Sequence, residues 1–209
     1  MTKFSCPACG AEVQFKSRVS VFGVCSYCAT MVVRHDMNLE MMGKMAQLPP
    51  DMSPLQVGTQ GRFEGKGFEI VGRLKIGWDQ GSWNEWYTLL DDGRDGWLAE
   101  AQGFYMFSFK HADLNGLPDL KKVSPGMTVA IGKEEFQIED IKQAECVGSE
   151  GELPMRGPKG RKSTSVDLNG EDGKFACIDY GEDEVRLYVG RYIDFEKMNL
   201  TSLRQVDGW

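Results

Sequence analysis

Cys6 and Cys9 in "CPACG" are separated by two residues, Cys25 and Cys28 in "CSYC" repeat the arrangement, and fifteen residues lie between the pairs. This is the spacing of a zinc ribbon. Each CxxC turn aims two sulfurs at one cation at about 2.3 Å, and the second turn completes a tetrahedron that leaves no open position. The expected role is therefore structural zinc held by Cys6, Cys9, Cys25 and Cys28. A disulfide framework needs an oxidising compartment, and "MTKFSCPACG" contains no apolar signal core. A redox CxxC needs only one pair and a βαβ setting. A rubredoxin-like iron site uses the same ligands and stays chemically open. Gly10 follows the first turn, whereas Ala29 stands where a glycine often follows the second.

The other residues able to do chemistry form no recognisable constellation. His35 in "VVRHD" and His111 after "FYMFSFK" are the two imidazoles, with no motif linking them. Cys146 and Cys177 are spare thiols, and Cys177 reads as a buried, inert side chain. The acidic run "GEDEV" reads as a turn with its solvated flank, and the glycines precede strands rather than helices, so no phosphate-cradling loop is indicated. With neither a nucleophile paired to a base nor an open metal, the expectation is a protein that is not an enzyme.

Charge narrows the partners. The formal net charge is -7, yet residues 1 to 35 carry Lys3, Lys16, Arg18 and Arg34 against Glu12, so the acidic excess lies in the remainder. Such a body repels phosphate backbones, which disfavours nucleic acid. Residues 148 to 165 gather Arg156, Lys159, Arg161 and Lys162 among glycines and prolines. They read as a mobile, solvated loop that could touch an anionic lipid surface peripherally. No stretch approaches the ~20 apolar residues of a membrane span, and the expected location is cytoplasmic.

The elements that must position these residues are read from periodicity. "VQF" and "SVFGV" are the short strands that bring the second knuckle to the first. In residues 36 to 56, Met37, Met41, Met42 and Met45 predict a short helix ended by Pro49 and Pro50, serving as a cover for the next domain or as an adaptable partner surface. Beyond Leu55, short alternating apolar runs broken by glycine predict antiparallel β-structure. Gly58, Phe68 and Ile70 share the spacing of Gly126, Phe136 and Ile138, and "YTLLDDG" from Tyr87 aligns with "FACIDYG" from Phe175, an internal repeat. The reading is a mainly β chain: a zinc ribbon at 1–35, a Met/Pro-rich linker at 36–56, and two small barrel-like or sandwich-like units at 57–120 and 121–209.

Within the first unit, "DDGRDG" marks a hairpin. A loop from Asp92 to Asp95 places Leu90 opposite Trp97, so Trp86 and Trp97 share one packed face. Trp78 and Trp83, in glycine-flanked turns, become the candidates for an exposed aromatic, partner-binding site.

"GFEIVGRLKIGWDQGSWNEWYTLLDDGRDGWLAEAQG", the later "GELP" and "VDLNGEDGKFACIDY" resemble the bacterial family called domain of unknown function 4178, over most of residues 55 to 200. The resemblance implies an accessory role near a membrane-associated or polyamine-related system and supplies no catalytic residues. Together these features favour a non-catalytic zinc-binding adaptor that engages a protein partner. The alternatives are a nucleic-acid-binding zinc ribbon and an accessory subunit of an enzyme with an unrecognised ligand site.

Overall fold

The computed structural model describes every residue except 37, 46, 47, 49, 50, 157 and 207–209. Its strands are β1 Thr2–Ser5, β2 Glu12–Phe15, β3 Phe22–Val24, β4 Thr30–His35, β5 Asn38–Lys44, β6 Gln60–Phe63, β7 Lys66–Trp78, β8 Gly81–Leu90, β9 Asp95–Ala101, β10 Phe104–His111, β11 Thr128–Ile131, β12 Glu134–Leu153, β13 Lys162–Gly170, β14 Lys174–Gly181 and β15 Val185–Tyr192. Among the described residues the helical content is three short 3-10 turns. The protein is mainly β, as the alternation predicts. Among the described residues no helix is long and apolar enough to cross a membrane.

Residues 38–44 depart from the expected helix. Asn38–Lys44 form β5, which pairs antiparallel with β4 from His35↔Asn38 to Thr30↔Lys44. A helix of under ten residues bears the full cost of nucleation, whereas β4 offers a ready ladder of backbone partners. Asp36 makes the reversal with φ +43°. The helix's proposed ends, Met37 and the Pro49-Pro50 pair, lie outside the described residues.

The internal repeat is plain in the first hairpin of each half. β6–β7 and β11–β12 carry the same wiring: Gly58 N donates to Ile70 O and Gly126 N to Ile138 O, both at 2.8 Å, while Ile70 N and Ile138 N return bonds to Thr59 O and Met127 O. The second alignment does not hold, because Tyr87 lies in β8 and Phe175 in β14, whereas the order of strands makes β13 the counterpart of β8.

The two halves interlock. Antiparallel pairings run β7–β8–β9–β10–β15–β14–β13–β12 and return from β12 to β7, a closed circuit of eight strands, four from each half. Both seams between the halves pass through glycines. A Cβ at Gly72 would stand 2.0 Å from Glu152 O, and one at Gly190 1.9 Å from Phe107 O, so neither seam could close around a side chain. The ribbon continues this sheet, since β3 pairs with β12 at Gly23↔Glu152 and Phe22↔Leu153.

Strand alternation gives the circuit two faces. Outward side chains form two dry cores. One gathers Phe68, Ile70, Trp86, Leu98 and Phe107 beneath Leu55, Phe63 and Met198. The other gathers Phe136, Ile138, Val166, Leu168 and Ile178 beneath Val129 and Ile131.

The β8–β9 register corrects the placement of Trp97. Leu90 N bonds Arg94 O at 2.8 Å around a tight turn in which Gly93 takes φ +88°, and Tyr87, not Leu90, stands opposite Trp97. The shift is an odd number of residues, so every side chain of β9 changes face. Trp86 is fully buried in the outer core, and Trp97, 8% exposed, faces the inside of the circuit.

Candidate metal centre and interior cavity

The two knuckles are built by local hydrogen bonds. Gly10 N donates to Cys6 O and Ala29 N to Cys25 O, each at 2.9 Å, while Cys6 N and Cys25 N reach forward to Ala11 O and Thr30 O. Both turns end in the left-handed region, at φ +78° for Gly10 and +56° for Ala29, so Ala29 holds at some steric cost the conformation in which glycine is favoured. The sulfurs converge. Cys6 Sγ is 3.7 Å from Cys28 Sγ, Cys9 Sγ is 3.8 Å from Cys25 Sγ, and all four lie within 4.8 Å of one another. A tetrahedron with bonds of about 2.3 Å has edges of about 3.8 Å, so the four thiols fit one metal ion. The Thr30 hydroxyl lies 3.1 Å from Cys28 Sγ; hydrogen bonds from Thr30 lower that thiol, while at Cys9 a backbone hydrogen bond from Ala11 is outweighed by contacts with the other thiols, which raise it.

Docking of the ribbon rests on a buried carboxylate. Glu152 accepts from Lys16 N at 2.8 Å and Ser17 N at 3.2 Å, and the Ser17 hydroxyl lies 3.4 Å from Tyr87 OH. Beyond it, β5 is the last strand of the sheet and carries Met41 and Met42, 57% and 49% exposed.

The candidate partner residues are dispersed. Trp83 lies within β8, half-buried, its indole donating to Glu85 Oε1 at 3.1 Å, and Trp78 ends β7 with Lys142 Nζ 5.4 Å from its ring centroid. Neither sits in a free turn. Much of the proposed loop at 148–165 is strand, because β12 runs to Leu153 and β13 begins at Lys162. Its basic residues separate accordingly. Arg161 turns toward the inside of the circuit, 3.7 Å from Glu184, Lys162 is exposed 3.9 Å from Glu145, and Arg156 and Lys159 are exposed. His35 Nε2 is 2.8 Å from Glu40, and His111 Nδ1 is 3.0 Å from the Asp113 carbonyl. Cys146 is buried, and burial pushes its thiol up to about 11.

Sequence reasoning misses the inside of the circuit. It holds a cavity of about 140 Å³ walled by Leu74, Trp83, Trp97, Met106 and Tyr188 and by the polar groups Glu85, Lys142, Ser165, Asp167, Asp179 and Arg186. Met155 and Pro158 cover part of it, in a segment pinned where Gly160 N donates to Cys146 O at 2.8 Å. Burial raises Glu85 to about 7, assisted by the charges of Asp179 and Asp167, and burial raises Asp167 and Asp179 as well. Cys177, expected to be buried, is half-buried and lines the cavity, where burial drives its thiol well above the ordinary value. One signal was visible in the sequence: Ser163, Ser165 and Asp167 alternate with Val166 and Leu168, and Cys177 and Asp179 with Ala176 and Ile178, the pattern of strands with one polar face.

Fold and site define a mainly β protein in which a tetracysteine ribbon extends a closed antiparallel sheet whose interior cavity is lined by apolar side chains and a few charged ones. The family described as domain of unknown function (DUF4178) matches residues 56–195, and the chain belongs to that family. The match covers both halves of the repeat and leaves the ribbon outside. No curated protein and no solved structure matches the chain.

Proposed function

We infer that this protein is a non-catalytic, zinc-stabilised accessory protein that engages a protein partner through the free edge of its ribbon. The observation that carries the reading is β5, a terminal strand displaying Met41 and Met42. An unpaired strand edge is a template for an added strand, and exposed methionine adapts to irregular apolar surfaces. The partner is accordingly a protein segment that adds to β5 in extended form. Zinc is the metal best matched to four thiolates in a closed tetrahedron, where it contributes directly to folding. A setting in a membrane-associated or polyamine-related system rests on the family resemblance.

Two measurements test this reading. Purified protein should contain about one zinc per chain, and Cys25→Ser should release it in elemental analysis; iron in its place overturns the choice of metal. In affinity purification from the native cell, one protein partner should be retained by the parent and lost with Met41→Lys/Met42→Lys, whose metal content and melting are unchanged. Equal retention by both removes the edge from the proposal, and nucleic acid co-purifying with steep salt dependence replaces it with the nucleic-acid reading. Liposome binding through Arg156 and Lys159 should be weak, since each near-surface cation contributes only about 1 kcal/mol and the chain is acidic. A second reading, the accessory subunit with a ligand site, is favoured by the interior cavity.

A further inference from the structure

We propose that the cavity enclosed by the eight-stranded circuit binds a small organic ammonium ion, held by Glu85 and Asp167 at its charged end and by Trp83, Trp97 and Tyr188 along its alkyl body. The first argument is space. Closed sheets of eight strands either fill with side chains or hold one small ligand. Here the interior keeps about 140 Å³ open, close to the ~150 Å³ that admits a benzene-sized guest. The occupant is therefore roughly six heavy atoms in size.

Charge supplies the second argument. The wall carries the carboxylates of Glu85, Asp167 and Asp179 and the cations Lys142, Arg161 and Arg186, with Glu145 at its margin beside exposed Lys162. Each of the cations already has acidic partners, outside the cavity or in its wall. Lys142 is bonded to Asp140 and lies 3.7 Å from Asp167, and Arg161 is 3.7 Å from Glu184. Arg186 is shared between Glu184 and Asp179, the latter at 3.1 Å. Glu85 is left with no cation. Its Oε1 accepts only the Trp83 indole, and its Oε2 accepts from none of the described residues. A carboxylate so placed favours a guest that brings a positive charge and N–H donors.

Wall chemistry supplies the third. Trp83, Trp97 and Tyr188 present aromatic surface on the side of β8, β9 and β15 where Glu85 sits. Aromatic faces attract ammonium ions and pack alkyl groups, whereas an anion would face two of the three carboxylates without a free cation. The proposal is independent of the metal site and of the ribbon edge.

The test is a titration of the full-length protein with n-butylammonium chloride, followed by calorimetry and tryptophan fluorescence, with 1-butanol and butanoate as comparators. Saturable binding of the ammonium, at least tenfold tighter than the alcohol, is expected. Glu85→Gln should weaken it at least tenfold while leaving the melting temperature equal or higher. The control Glu134→Gln, which removes an exposed carboxylate paired with Lys174, should bind like the parent. Equal affinity for ammonium and alcohol, tighter butanoate, no saturable binding, or unaltered binding by Glu85→Gln each overturns the proposal. Should Glu85→Gln fail to fold, Asp167→Asn is measured in the same assay, and unaltered affinity there overturns it equally.

Discussion

Asp51 and Glu85 are two partly buried carboxyl groups on opposite faces of one sheet. Asp51 lies on the outer face. It accepts from Lys75 Nζ at 2.8 Å, Arg204 Nη2 at 2.9 Å and Asn84 Nδ2 at 3.3 Å, and also from Arg73, which packs 4.8 Å over the Trp86 ring. Burial works to raise it, but the Lys75 hydrogen bond, the charges of Arg73 and Lys75, and Arg204 outweigh burial and hold it at about 2. Glu85 adjoins Asn84 in the chain yet points into the cavity, where burial and the nearby Asp179 and Asp167 carry it to about 7. One strand thus meets opposite electrostatics at consecutive residues. The saturated cluster ties residues 51–53 and Arg204 over the outer core, a structural clamp. A carboxyl group that folding leaves without an opposite charge is the feature on which the ammonium proposal rests.

The comparison of faces is tested most severely by the two tryptophans. Trp86→Ala removes a ring from the dry outer core and should cost ~3–5 kcal/mol in urea denaturation. Trp97→Ala enlarges a cavity that already exists and should cost clearly less. Equal costs would mean that the interior is packed as tightly as the outside.

Next comes the clamp. Asp51→Asn leaves Arg73, 4% exposed, with only the more distant Glu150, 3.5 Å from its Nη1, as carboxylate partner. The loss should be about 3 kcal/mol at neutral pH, whereas Glu85→Gln should leave stability unchanged or raise it. Matching losses would erase the distinction.

Acid titration sharpens the contrast because the two signs oppose. Asp51 is depressed, so its stabilisation is present above about pH 4 and is lost as pH falls toward about 2, on the order of 2 kcal/mol. Glu85 is raised, so the folded state keeps a proton that the unfolded chain has released. Its contribution falls as pH rises from about 4.5 to about 7, on the order of 3 kcal/mol. Lys142, Arg161 and Arg186, with Glu145, Cys146, Asp167, Asp179, Cys177 and Tyr188, are the other ionisable groups lining the cavity from the neighbouring strands and from the segment before β13. Denaturation across pH should show the Glu85 slope vanish in Glu85→Gln and the acid-side slope shrink in Asp51→Asn; unchanged slopes refute the assignments. The smallest effect is expected at the surface, where Lys162→Ala breaks an exposed pair with Glu145 and should shift stability by under about 0.5 kcal/mol.

The metal centre was legible in the sequence because a knuckle is local. Four residues and the bonds from Gly10 to Cys6 and from Ala29 to Cys25 determine where two sulfurs point, and "CPACG" and "CSYC" display those residues directly. The β class and the wiring shared by Gly58 and Gly126 were legible for the same reason, since a hairpin is written in neighbouring residues. The face of Trp97 was not, because register counts residues and an error of an odd number inverts it. Nor was β5, whose strand conformation comes from β4 rather than from its own methionines. The cavity depended wholly on tertiary structure. Glu85 meets Asp167 and Asp179 only after β7 has paired with β12 and β10 with β15, and those seams join residues tens of positions apart. Local propensity carries no information about such pairings. The sequence by itself therefore determined the four candidate metal ligands and the β-hairpins, and closure of the sheet decided which polar side chains share an interior.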